Sequence, residues 1–165
     1  MSNDARPVRS AARVHAHHGH HRHHGGGALA TSFQATVHCL TGCVIGEVAG
    51  LMIGVTLGLP AFATIALATG LAYATGMTLG LVPVMRRERI GALAALRIIW
   101  IGEVISIGVM ELVMNWVDYE MGGMTAPSIA SWMFWRGILV AVPAGFLAAW
   151  PVNYWLLRRN LKACH

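Results

Sequence analysis

His38-Cys39-Leu40-Thr41-Gly42-Cys43-Val44-Ile45-Gly46-Glu47, running on to Gly58, is the stretch that decides the fold. Two rows overlap in it. Gly42, Gly46, Gly50, Gly54 and Gly58 recur at every fourth residue, and so do Cys39, Cys43 and Glu47. The surroundings are apolar for about twenty residues, a bilayer-spanning length. On a helix, residues four apart share a face and drift by roughly 40°. The glycines therefore form a shallow groove that admits another helix closely, as small residues do in membrane packing. Gly50→Leu is expected to disrupt folding, and Leu51→Ala, one step round the helix, to be milder. The Cys/Glu row runs along the edge of the groove, so a thiol pair and a carboxylate are expected at a helix seam.

Composition agrees. Only 12% of the 165 residues are charged, about half the usual share of a soluble domain, and mean hydropathy is +0.57. Three cysteines are too few for a secreted disulfide scaffold. The net charge of +5 implies no nucleic acid partner, because topology accounts for the basic residues. No secretory signal peptide is expected, since residues 1–33 have no apolar core.

Working outward, an all-α integral membrane four-helix bundle is expected at residues 33–157, with spans at about 33–59, 61–85, 90–117 and 129–157. Span two has its own small row, Thr64, Ala68, Ala72, Gly76 and Gly80, so spans one and two read as a tightly packed antiparallel hairpin. Pro143 and Pro151 are expected to kink span four, and Trp132, Phe134, Trp135, Trp150, Tyr154 and Trp155 mark its interfaces. Arg and Lys concentrate in the N-terminal tail, in Arg86–Arg89 and in Arg158, Arg159 and Lys162, while the other two loops have none. The positive-inside rule then puts both termini in the cytoplasm. The expected setting is the bacterial inner (plasma) membrane.

The tail, residues 1–32, is expected to be disordered, having no apolar face to bury. His15, His17, His18, His20, His21, His23 and His24 are interspersed in it. Such tracts capture borderline metals. A passive solvated tail and a cloning tag are the alternatives. Residues 158–165 form a basic cytoplasmic tail ending in Cys164-His165.

Span three carries the other chemistry. Ser106, Met110, Glu111, Met114 and Asp118 fall within about 80° of Glu103 on a helix. Ionisable groups in a membrane interior are costly and mark ion or proton routes by default. Halfway positions in their apolar runs place Glu47 and Glu103 together at the midplane, where two carboxylates would share a proton or hold a cation. Two separately hydrogen-bonded neutral acids are the bland alternative. Cys39 and Cys43 suit a soft metal, or serve only as small buried residues. His38 joins them only if the helix begins near residue 39. Met110 and Met114 are thioether donors suited to Cu(I), or ordinary filler. Arg136 is expected to pair with Glu111 or Asp118.

The motif His38-Cys39-Leu40-x-Gly42-Cys43-x-x-Gly46-Glu47-x-x-Gly50, with Glu103, Met110-Glu111-Leu112, Pro151-Val152-Asn153-Tyr154-Trp155 and Cys164-His165, resembles the membrane protein family called domain of unknown function 4396. The resemblance covers about residues 34–165 and implies a small polytopic membrane protein of no assigned activity.

The residues themselves point to a membrane protein that handles a transition-metal cation of copper, zinc or nickel type, copper or zinc being favoured. An inner site would use His38, Cys39 and Cys43 with Cys164 and His165, a midplane site Glu47 and Glu103, and an outer step Glu111, Met110 and Met114. Four spans leave little room for a pore, so a homo-oligomer in lipid is expected. Heme is not expected, since His38 has no second imidazole inside the bundle. An enzyme using Cys43 as nucleophile is disfavoured because no base stands at helical spacing. The rival reading is a non-transporting accessory or assembly subunit of a larger membrane complex.

Overall fold

The computed structural model describes residues 25–159. It contains four helices: α1 (Gly25–Thr56), α2 (Ala61–Glu88), α3 (Ala92–Glu120) and α4 (Trp132–Arg158). Each is long and apolar enough to cross a membrane, and the described residues include no strand. The helices run up, down, up and down, each packed on its neighbours in the chain, with α4 closing back onto α1. Large apolar side chains such as Phe62, Leu112, Trp116, Leu139 and Leu147 face outward. That suits hydrocarbon surroundings, where the inward face takes the small and polar residues.

The α1–α2 seam is the hairpin expected from the two small-residue rows. Gly42 lies on Gly76, Gly46 on Leu71 and Ala72, Gly50 on Ala68, and Gly54 on Thr64. Thr75 Oγ1 adds a hydrogen bond to the Gly42 carbonyl, at 2.7 Å. Gly58 does not belong to the seam. Nothing lies within 4 Å of where its Cβ would stand, and its φ is +64°. The helix ends at Thr56 instead of Leu59, and Gly58 turns the chain. Leu59 N–H donates to the Gly54 carbonyl at 2.9 Å and Gly58 N–H to that of Val55 at 3.2 Å, the paired bonds of a left-handed helix stop. Pro60, still extended, then precedes the first residue of α2. The same device ends α3: Gly122 has φ +77°, Gly123 N–H donates to the Asp118 carbonyl and Gly122 N–H to that of Tyr119.

Leu51, one step round from the seam, is itself 1% exposed and packs with Ala68, Phe134 and Ile138. The spans also shift. Residues 25–32, expected in the disordered tail, are helical. Ser32 is fully buried and accepts a hydrogen bond from Trp150 Nε1 at 3.1 Å, and Phe33 meets Phe146 and Trp150 edge-on. Packing against the end of α4 extends α1 beyond its apolar run. The remaining spans each move by up to three residues, and α4 continues through Pro143 and Pro151 as one helix.

Candidate functional site

A column of polar groups occupies the bundle interior, where α1, α3 and α4 face one another. At the end holding the α1 N-terminus, Ser32 Oγ bonds the Leu29 carbonyl, Thr36 Oγ1 bonds that of Ser32, and Asn153 Nδ2 donates to Thr36 Oγ1 at 2.8 Å. One turn further, Cys39 Sγ lies 3.8 Å from Ser106 Oγ. Cys43 follows, fully buried over Gly76, within hydrogen-bonding reach of Cys39 on one side and Glu111 on the other. Asn115 Nδ2 reaches Glu111 Oε2 at 3.3 Å and Thr69 Oγ1 at 3.1 Å. Glu111 and Asp118 are the carboxyl groups near enough to act on Glu47 electrostatically. Asp118 is fully buried where Gly123 and Gly137 leave space for it, with the Met124 N–H facing it.

The half of this column away from the α1 N-terminus has a one-sided shortage. Among the described residues, the buried polar atoms without a hydrogen bond are Glu47 Oε1, Glu111 Oε1, Asn115 Oδ1 and both Asp118 carboxylate oxygens. Every one is an acceptor of a carboxyl or amide group. Arg136, expected to pair with Glu111 or Asp118, donates instead to the Met121 carbonyl at 2.8 Å.

The structure does not bring Glu47 to Glu103. α1 and α3 run parallel, with Cys39 level with Ser106. Eight residues on, Glu47 is level with Met114, whereas Glu103 lies three residues before Ser106. The offset of eleven residues is about 16 Å along the axis. Glu103 packs instead against α2, its Cδ 3.5 Å from where a Cβ on Gly80 would stand. The depth estimate fails because α1 starts at Gly25, so its middle falls near Leu40 rather than Glu47. Glu111 and Asp118 take the place expected of Glu103.

His38 does not join the thiols either. It lies inside α1 on an exposed face, and its Nε2 bonds the Leu79 carbonyl at 3.2 Å. Pro83 sits four residues after Leu79 in α2. Having no N–H, it leaves that carbonyl without its helical donor. His38 supplies the missing one. Met110 and Met114 are fully buried on the same face of α3 as Glu111, and they fill the space opened by Gly145 of α4. Cys164, His165 and the seven tail histidines lie outside the described residues. Among the described residues, no group of three or more His, Cys, Asp or Glu side chains is arranged to hold a metal ion.

Ser32, Thr36 and Asn153 were not singled out as column members by the glycine and cysteine rows. The available signal is the run Ser32, Thr36, Cys39, Cys43, spaced four, three and four, which traces one inward stripe on a helix. Pro83 is a second missed signal, because it names the carbonyl that needs a donor.

Fold and interior together define a small polytopic helical protein of membrane-spanning type, with acids and thiols enclosed in the bundle. The chain belongs to the family described as Domain of unknown function (DUF4396), which it matches over residues 30–162. No curated protein and no solved structure matches it.

Proposed function

We propose that this protein handles cations through the interior of its bundle, with protons and a soft transition-metal cation competing for the acids of the column. The observation that carries the proposal is the shortage described above: three buried carboxyl side chains and an amide present unpaired acceptors, without a basic side chain against the acids among the described residues. In a membrane interior an ionised acid costs about 2.5–3.5 kcal/mol on insertion scales. Glu47, Glu111 and Asp118 must therefore hold protons or share a cation. Cys39 and Cys43 lie directly behind Glu111, and thiolates would bias the cargo toward copper or zinc over hard cations. A metal would draw these side chains together, since they stand in series rather than around one point. The His-rich tail and Cys164-His165 would gather metal on the cytoplasmic side of a bacterial inner membrane, with both termini inside and at least two copies assembling.

A second reading has its own support. The lack of a preformed ligand group among the described residues favours an accessory subunit of a larger membrane complex, its acids neutral and structural. Metal uptake with simultaneous proton release separates the two. Purified full chain, with its seven tail histidines changed to alanine, is titrated with Zn(II) and with Cu(I). The cation reading expects proton-coupled uptake that Glu47→Gln, Glu111→Gln or Asp118→Asn each diminishes, and a changed zinc-to-copper preference in Cys39→Ser/Cys43→Ser. Absence of uptake in the parent chain would leave the accessory reading standing.

A further inference from the structure

Cys39 and Cys43 stand one helical turn apart on the inward face of α1, 4% and 0% exposed. Side chains four apart on a helix lie one above the other, and these two thiols are within hydrogen-bonding reach of each other. Neither is held in a disulfide. Ala72, Ile107, Met110 and Ala141 belong to the same buried cluster, so the pair is sealed in an apolar shell. Gly76 of α2 keeps the space beside Cys43 open, since a Cβ there would lie 3.3 Å from the sulfur.

The donors within reach decide what such a pair can hold. Thiolates select soft cations, Cu(I) and Zn(II) among them. Zn(II) in a closed site takes four ligands in a tetrahedron, and the described residues do not supply them. His38 is turned to the Leu79 carbonyl on an exposed face. Met110 fills the space left by Gly145 of α4. Glu111 is reached from Cys43 on the side away from Cys39. The three therefore stand in line, and among the described residues no three His, Cys, Asp or Glu side chains surround one point. Cu(I) needs fewer donors: two thiolates on opposite sides of the ion satisfy it, and two sulfurs stacked one turn apart offer that arrangement. We propose that Cys39 and Cys43 form a two-coordinate bis-thiolate site for Cu(I), a monovalent cargo, in the middle of the polar column. The proposal rests on the cation reading above and narrows its cargo to one ion. Binding breaks two S–H bonds and makes two S–Cu bonds. Two protons leave the site, copper stays Cu(I) and no electron moves. The bound unit carries one negative charge, and a protonated Glu111 can set its O–H against the Cys43 sulfur.

The test uses the full chain in detergent without oxygen, its seven tail histidines changed to alanine and with Cys164→Ser, so that the thiols left are Cys39 and Cys43. Cu(I) is delivered from its bicinchoninate complex, and the loaded protein is measured by X-ray absorption at the copper edge. One Cu(I) per chain with two sulfur neighbours and no nitrogen or oxygen neighbour is expected, and excess Zn(II) should not displace it. That measurement is made on the parent chain and does not depend on how a variant folds. Cys39→Ser and Cys43→Ser should each remove the two-sulfur signature, and Met110→Leu should keep it. Absence of Cu(I) uptake, copper held by oxygen or nitrogen, a third sulfur neighbour that Met110→Leu removes, a two-sulfur signature that survives Cys43→Ser, or displacement by equimolar Zn(II) would each overturn the site. Zn(II) uptake that depends on Glu47, Glu111 and Asp118, in a chain whose copper has no sulfur neighbour, would sink the site and leave the cation reading. Two-sulfur Cu(I) in a chain whose uptake ignores Glu47→Gln, Glu111→Gln and Asp118→Asn would keep the site and sink the competition at the acids.

Discussion

Replacing Gly50 by alanine adds one methyl group, and the structure says what that methyl meets. Its Cβ would lie 2.7 Å from the Ala68 nitrogen and 3.0 Å from the Ala68 Cβ, with the Ala68 Cα closer still, whereas ordinary contact begins at 3.4 Å. The obstacle is mostly backbone, which cannot rotate aside, so α1 and α2 must separate by roughly 1 Å. A gap of that size forfeits about a quarter to a half of the dispersion well at each contact it opens, and the seam has close contacts at Gly42, Gly46 and Gly54 as well. Together with an overpacking cost of about 1–3 kcal/mol, Gly50→Ala should destabilise by about 2–3 kcal/mol, and Gly50→Leu should prevent assembly of the hairpin. Gly70 is the internal control. It lies in α2 facing outward, with nothing within 4 Å of its would-be Cβ. Gly70→Ala should be neutral or stabilise by up to about 1 kcal/mol through helix propensity. The assay is unfolding in mixed micelles of rising SDS fraction, followed by far-UV circular dichroism. Equal midpoints for Gly50→Ala and Gly70→Ala would refute the close-seam reasoning.

Leu51→Ala should cost about 2–5 kcal/mol in the same assay, because it empties a buried site; a loss under 1 kcal/mol would mean that this core is loosely packed. His38→Ala should cost about 1–2 kcal/mol by stranding the Leu79 carbonyl, and Pro83→Ala should rescue it by restoring the backbone donor. Additive effects in that double-mutant cycle would deny the link. Reporter fusions at residue 1 and after His165 should report cytoplasm, and one at Gly123 the opposite side, as the Arg distribution requires; a cytoplasmic Gly123 would reverse the orientation.

The sequence by itself determined the helices, their number, the antiparallel hairpin and the inward face of α3. These follow from local periodicity: a glycine at every fourth position must lie along one helical stripe, and a polar face on an apolar span must turn inward. Gly58 shows the limit of the pattern. It continues the four-residue spacing, yet it serves the turn, because spacing does not record where backbone bonding ends. The tertiary structure alone decided which acids meet. Glu47 faces Glu111 and Asp118 rather than Glu103 because the relative height of α1 and α3 is set by side chains remote in sequence, Cys39 against Ser106 and Ser32 against Trp150. Helical register between non-adjacent elements is a sum of many such contacts, and it leaves no periodic signature in either strip of sequence. The same holds for His38, whose partner was fixed by a missing proton on Pro83 in the neighbouring helix.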